Sequence, residues 1–83
     1  MSSEGWALIH LRVAAGGDPR AMACIVERFR KLNILPGRFT VEWVTRDTLQ
    51  IEMEIVCETE ASAASIAAKL VKAPSVLSVY WHR

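Results

Sequence analysis

The segment Thr48–Cys57, TLQIEMEIVC, alternates between apolar and polar side chains along its length. Successive residues of a β-strand point to opposite faces of the sheet, so this alternation predicts a strand with two unlike faces. The apolar set is expected to face the interior, and it consists of Leu49, Ile51, Met53, Ile55 and Cys57. The opposite face is polar and acidic. The chain is therefore expected to fold around a sheet that is buried on one side.

Three other segments also have the pattern of strands, and they are Trp6–Val13, Arg38–Thr45 and Val76–His82. The first strand has an apolar set that should face the core, made of Ala7, Ile9, Leu11 and Val13. In the last strand, one face is expected to carry Leu77, Val79 and Trp81. The short Arg46-Asp47 turn between the second and third strands predicts an antiparallel hairpin.

Two helices are predicted, over Pro19–Leu32 and Glu60–Lys72. Asp18 and Thr59 are suitable N-caps, and Asn33 is a suitable left-handed C-cap. The first helix has an apolar stripe at three- and four-residue spacing, formed by Met22, Ile25, Val26, Phe29 and Leu32. The second helix is rich in alanine, which allows close approach to a sheet.

The resulting order β-α-β-β-α-β predicts an α+β fold of the ferredoxin-like type, with a four-stranded antiparallel sheet and two helices on one face. The 83 residues are expected to form a single domain, with residues 1–5 as a disordered lead-in. The second strand should lie at an edge of the sheet, where Phe39, Val41 and Trp43 would be a liability unless paired. Because 52% of residues are hydrophobic, we expect a homodimer in which this strand pairs with its two-fold copy.

Composition argues against several functional classes. A formal net charge of +1 is unlike that of a nucleic-acid-binding module, and the third strand lacks the aromatic residues with which RNA recognition motifs stack bases. The chain has no apolar run suited to a membrane span and no signal-peptide pattern at its start, so a cytoplasmic location is expected. Cys24 and Cys57 are expected to be free, small apolar residues rather than a disulfide.

Few residues in the sequence are suited to catalysis. His10 and His82 fall on the open face of neighbouring strands, and with Glu52 or Glu54 they form a candidate metal site. The alternative is a hydrated sheet face with cross-strand charge pairs, such as Arg12 with either glutamate. No nucleophile has an assigned base, so we expect neither an enzyme acting alone nor a bound cofactor.

The junction between the first strand and the first helix is the candidate ligand site. It comprises Gly16, Gly17, Asp18, Pro19, Arg20 and Ala21. A helix N-terminus has unpaired N–H groups and the positive end of a dipole, which favour an anion. Arg20 adds a cation able to hold a carboxylate by charge-assisted hydrogen bonds. The simpler interpretation is a well-built turn that binds nothing.

The chain resembles the ACT domains, which are small amino-acid-sensing regulatory modules, over nearly its whole length. The resemblance depends on Gly17-Asp18-Pro19 before a helix that ends near Phe29, the loop at Asn33, the TLQIEMEIV strand and the strand after PSVLSV. It is most similar to the small regulatory subunits of acetolactate synthase, especially their short single-domain form.

This resemblance implies a side-by-side dimer that binds and activates a larger catalytic subunit of branched-chain amino-acid biosynthesis. It also implies an amino-acid effector between the first turn of one chain and the first helix or second strand of the other. Positions that carry asparagine, glycine and asparagine in effector-sensitive subunits hold Gly17, Arg20 and Leu35 here. The chain is therefore more similar to subunits that activate without tight feedback. The predicted interface consists of Leu35, Phe39, Val41 and Trp43. A free-standing amino-acid sensor is the alternative.

Overall fold

A computed structural model describes residues 7–83 of the chain. Trp6 and the predicted lead-in of residues 1–5 lie outside the described residues. The elements in chain order are β1 (Ala7–Gly16), α1 (Pro19–Leu32), β2 (Arg38–Thr45), β3 (Thr48–Cys57), α2 (Glu60–Leu70) and β4 (Val76–His82).

The four strands form one antiparallel sheet in the order β2-β3-β1-β4. The buried side chains of both helices join the same apolar face of this sheet in one core. The fold is therefore the predicted ferredoxin-like sandwich, with β2 and β4 at the edges.

The alternating patterns of β1 and β3 determine which side of the sheet is covered. Ile9 lies opposite Ile55, and Leu11 lies opposite Met53. Each of these side chains is at most 2% exposed, so the predicted interior face is confirmed. The opposite face of the two strands remains open, and it carries mostly polar side chains apart from the exposed pair Leu8 and Val56.

Strand β1 is longer than the sequence indicated. The predicted strand stops at Val13, whereas the pairing with β3 continues through Gly16, which lies opposite Thr48. The added residues are two alanines and a glycine, which have little strand propensity of their own. The long partner strand supplies the hydrogen bonds that keep them extended.

Helix α1 has the predicted caps at both ends. Asp18 has extended backbone angles and accepts a hydrogen bond from the Arg20 N–H, while Asn33 has φ 59° and ψ 45° in the left-handed region. The buried face of the helix carries Ala21, Ile25 and Phe29. Val26, predicted as part of the core stripe, is instead 54% exposed because it lies on the flank of α1 that borders the β2 edge.

Helix α2 begins after Thr59, whose hydroxyl accepts a hydrogen bond from the Ser62 N–H at 3.1 Å, and ends at Leu70. The prediction extended it to Lys72, but the last residues form a turn before Pro74. Its buried residues include two alanines, as expected for close packing on the sheet, and they are Ala63, Ile66, Ala67 and Leu70. In residues 7–83 no helix has both the length and the apolar character needed to cross a membrane.

Strand β4 departs from the predicted alternation at a β-bulge. Ala14 lies opposite Ser78 and Ala15 opposite Val76, so Leu77 is an extra residue in β4. The extra residue of a bulge shifts the alternation by one, so residues on one side of the bulge point to the opposite face of the sheet from the one that the sequence pattern predicts. Val76 therefore packs against the core with Val79, while Leu77 is 63% exposed, contrary to the prediction.

Candidate functional site

The predicted ligand-binding turn joins β1 to α1 at the end of the sheet. Gly16 is the last residue of β1, and Pro19 is the first residue of α1. The Asp18 carboxylate accepts a hydrogen bond from the Arg20 N–H at 2.9 Å, as the N-cap assignment required. The turn therefore contains its own anion at the helix N-terminus.

The backbone N–H groups of the turn are hydrogen-bonded within the chain. Gly16 donates to the Ser75 carbonyl at 2.8 Å, and Gly17 donates to the Asp47 carbonyl at 2.9 Å. The Asp18 N–H donates to the Gly16 carbonyl at 2.8 Å. These bonds attach the turn to two other loops, so its shape depends on the whole fold.

The Arg20 side chain folds back on Asp18. Its Nη2 and Nε atoms lie 2.9 and 3.2 Å from Asp18 Oδ2. Hydrogen bonds from the Arg20 side chain and backbone lower the pKa of Asp18, and the hydrogen bond to Asp18 raises the pKa of Arg20. The cation predicted to hold a ligand carboxylate thus has an internal carboxylate as its partner.

The same turn contacts the edge strand through Gly17 and Trp43. A Cβ atom added to Gly17 would lie 2.8 Å from Trp43 Cζ3, closer than real Cβ contacts. Glycine therefore permits the indole ring to pack on the turn. The fold brings a predicted ligand-binding residue and a predicted interface residue into direct contact.

The β2 edge carries a group of exposed apolar side chains on the helix-covered side of the sheet. Phe39, Val41 and Trp43 lie opposite buried residues of β3, yet they are 37%, 40% and 63% exposed. Leu35, before the strand, is 89% exposed. An open groove of about 440 Å³ separates β2 from α1, and its apolar lining consists of Val26, Phe29, Ile34, Leu35, Pro36 and Phe39. Four of these residues were not predicted to belong to this surface, namely Val26, Phe29, Ile34 and Pro36. The position of Val26 at the margin of its helical stripe is the sequence signal that could have indicated its exposure.

On the open face, the two histidines are neighbours as predicted. The His10 and His82 rings stack with centroids 5.0 Å apart and an interplanar angle of 19°. His10 Nδ1 lies 3.4 Å from Glu54 Oε2. Within residues 7–83, however, no three histidine, cysteine, aspartate or glutamate side chains form a group suited to a metal ion. The described residues do not support the candidate metal site.

The remainder of the open face matches the alternative of cross-strand charge pairs. Arg12 Nε lies 3.4 Å from Glu52 Oε2 on the neighbouring strand. A cleft of about 150 Å³ here is lined by both signs of charge, from His10, Arg12, Arg38, Glu52, Glu54 and His82. Both members of the Arg12–Glu52 pair are about half exposed, so water screens their attraction.

The two cysteines are free, as predicted. Cys57 is buried, and burial raises the pKa of its thiol above the ordinary value. A raised pKa keeps the sulfur protonated at neutral pH, where a thiol is a poor nucleophile. Cys57 therefore belongs to the core.

Several solved structures share the fold of this chain. The ACT domain from GTP pyrophosphokinase of Chlorobium tepidum matches with a TM-score of 0.80 and 13% identity, over 94% of this chain and 88% of that one. The C-terminal domain of the MgtC protein from Mycobacterium tuberculosis matches with a TM-score of 0.72 and 23% identity, over 99% and 92%.

A third structure is the regulatory subunit of aspartate kinase from Thermus thermophilus, with a TM-score of 0.68 and 10% identity. This match covers 94% of the present chain and 54% of that subunit. No protein-family model and no curated protein sequence matches the chain. The likeness therefore establishes an ACT-type fold.

Proposed function

We propose that this chain is a non-catalytic regulatory subunit that forms a homodimer and activates a larger catalytic subunit in the cytoplasm. The chemistry would belong to the catalytic partner, for which acetolactate synthase of branched-chain amino-acid biosynthesis is the leading candidate. The proposal is supported by the fold, which is shared with a domain of GTP pyrophosphokinase and with the regulatory subunit of aspartate kinase. The sequence resemblance to small subunits of acetolactate synthase directs the choice of partner.

The observation that carries the proposal is the uncovered apolar edge of β2. A sheet edge with unpaired backbone groups and large apolar side chains is a template for pairing with another strand. Here the edge extends into the apolar groove beside α1, which a second copy would cover. Homodimerisation through Leu35, Phe39, Val41 and Trp43 therefore accounts for apolar surface that the monomer leaves in water.

The oligomeric state tests the first half of the proposal. Val41→Lys places a charge in the proposed interface and should convert the dimer to a monomer in size-exclusion chromatography with light scattering. Val56→Lys is the matched control, because Val56 is also exposed but lies on the open face of β3. A monomeric wild-type chain, or a dimer that survives Val41→Lys, would contradict this interface.

The catalytic partner is tested separately. The purified chain is added to an acetolactate synthase catalytic subunit from the same organism, and co-purification and initial rate are measured. We expect a stable complex and a higher rate. A catalytic subunit that neither binds the chain nor responds to it would reject acetolactate synthase as the partner while leaving the dimer unaffected.

An amino-acid sensor is the second candidate, and the Gly17–Trp43 contact favours it. This contact places the Gly16–Ala21 turn beside the proposed dimer interface, so a ligand there would contact both copies. The carboxylate of an amino acid would compete with Asp18 for the Arg20 guanidinium. Binding would thus rearrange an exposed ion pair at the start of α1.

A thermal-shift screen over the amino acids tests the sensor. A ligand that binds only the folded chain raises the melting temperature by mass action. Arg20→Ala should abolish the shift, whereas Arg12→Ala removes an arginine of the open face and should leave it intact. A screen with no shift would argue against the sensor.

A further inference from the structure

The edge strand β2 carries two opposite charges as well as its apolar residues. Arg38 and Glu42 are both exposed, and their positions on the strand place them on the open face of the sheet. Among the ion pairs formed by residues 7–83, none includes either of these side chains. Their positions differ by four along the strand, so they lie on the same face about 13 Å apart.

Two-fold symmetry restricts how β2 pairs with a second copy of itself. In an antiparallel pair, residues directly opposite each other point to the same face. An axis perpendicular to the sheet must therefore pass beside one residue that faces its own copy. In the regular part of β2, Arg38–Trp43, before the irregularity at Val44, this residue is Phe39, Thr40, Val41 or Glu42. With Glu42 at the axis, the two glutamates would face each other.

The charges distinguish these four registers. With Thr40 at the axis, Arg38 of each copy lies opposite Glu42 of the other, which forms two ion pairs. With Val41 at the axis, Arg38 would face Val44 and Glu42 would face Thr40. With Phe39 at the axis, Arg38 would face Thr40. Only the register with Thr40 at the axis places Arg38 opposite Glu42.

We propose that two copies of the chain pair through β2 in the register that places Thr40 opposite itself, held by reciprocal Arg38–Glu42 ion pairs. This inference rests on the homodimer of the proposed function and specifies its geometry. On the helix-covered face, each Phe39 lies opposite Val41 of the other copy. Aromatic and β-branched residues form favourable cross-strand pairs, as do two threonines.

The same register accommodates the largest side chain of the edge. Trp43 of each copy lies opposite Gly37 of the other, where the absence of a side chain leaves room for the indole ring. Gly37 is exposed. The segment Leu35–Gly37 of one copy would then lie next to the Gly17 turn of the other, because Trp43 already contacts Gly17.

Charge reversal tests the register. Arg38→Glu places like charges opposite each other at both ends of the seam, and so does Glu42→Arg. Each variant alone should dimerise at least tenfold more weakly than wild type, a change of about 1.4 kcal/mol. Mixed together, the two variants should form a heterodimer of near wild-type affinity, because every glutamate then faces an arginine. Arg46→Glu and Glu58→Arg change exposed charges outside the seam and serve as controls.

Sedimentation velocity measures the dissociation constants, and native mass spectrometry with one isotope-labelled variant detects the heterodimer. A wild-type dimer whose affinity is unchanged in both single variants would overturn the register and leave the homodimer standing. A mixture of the two variants that forms no heterodimer would also overturn the register and leave the homodimer standing. A wild-type chain that stays monomeric would overturn the proposed homodimer itself and the register with it. Circular dichroism of each variant verifies that the fold is intact.

Discussion

Replacing Ile51 with alanine should cause a large loss of stability, because this side chain lies at the centre of the core. Ile51 lies on β3 between Val13 of β1 and Val41 of β2, and it is fully buried. The substitution removes about three methyl or methylene groups at about 0.8 kcal/mol each, or about 2.4 kcal/mol of transfer free energy. A cavity that does not collapse raises the cost to about 3–4 kcal/mol.

This loss is large compared with the whole stability of the domain. At about 0.05–0.15 kcal/mol per residue, 83 residues give about 4–12 kcal/mol. Ile51→Val removes a single methylene group and should cost about 1 kcal/mol. Val56→Ala is the control on the same strand, because Val56 points to the open face and is 57% exposed. Its cost should stay within about 0.5 kcal/mol.

Urea unfolding followed by circular dichroism measures these differences through the linear dependence of the free energy on denaturant. All variants are compared at one protein concentration, since dimerisation makes apparent stability depend on concentration. If Val56→Ala costs as much as Ile51→Ala, the open face is buried and the assignment of the covered face is wrong.

Substitutions at three further places test local features of the structure. Hydrogen bonds from Arg20 lower the pKa of Asp18 in the folded chain. The ionised Asp18 carboxylate therefore contributes its full stabilisation above the unfolded pKa of about 3.9, and this contribution is lost as pH falls through the lower folded pKa. Asp18→Asn should therefore reduce the acid-dependent loss of stability seen in urea titrations at successive pH values; an unchanged pH profile would refute this role. Asn33 has a positive φ of 59°, so Asn33→Ala should cost about 1 kcal/mol in urea unfolding, whereas Asn33→Gly should preserve stability. The bulge in β4 exposes Leu77 and packs Val79 against the core. Leu77→Asp should therefore leave the melting temperature nearly unchanged, whereas Val79→Asp should lower it by several degrees. Equal changes in melting temperature would argue against the bulge.

The proposed pairing would bring together three features that are neighbours in the fold. The β2 edge, the groove beside α1 and the Gly17 turn adjoin one another through Trp43 and Phe39. A second copy on this edge would cover the apolar groove and approach the turn at once. A ligand that changes the conformation of the turn would then also change the dimer interface. Such coupling between two sites is what the proposed regulatory role requires.

The fold class and the interior of the sheet follow from local patterns in the sequence. The alternation in β3, the caps Asp18, Thr59 and Asn33, and the hairpin turn are local features, and each depends on residues close together in the chain. Their order along the chain leaves few topologies open, so the edge position of β2 and the meeting of His10 with His82 were also predictable.

Tertiary structure decided the features that depend on partners distant in sequence. The end of β1 is extended because β3 pairs with it, and Leu77 is displaced because β4 must match β1 across a bulge. Val26 is exposed because α1 leaves the edge strand uncovered, although its spacing is that of a core residue. Gly17 receives Trp43 from another strand. The Arg20–Asp18 ion pair is by contrast a local contact, formed between residues two apart in the chain. Side-chain pattern determines which elements form, whereas register and packing between elements determine which surfaces remain open to a ligand or a second chain.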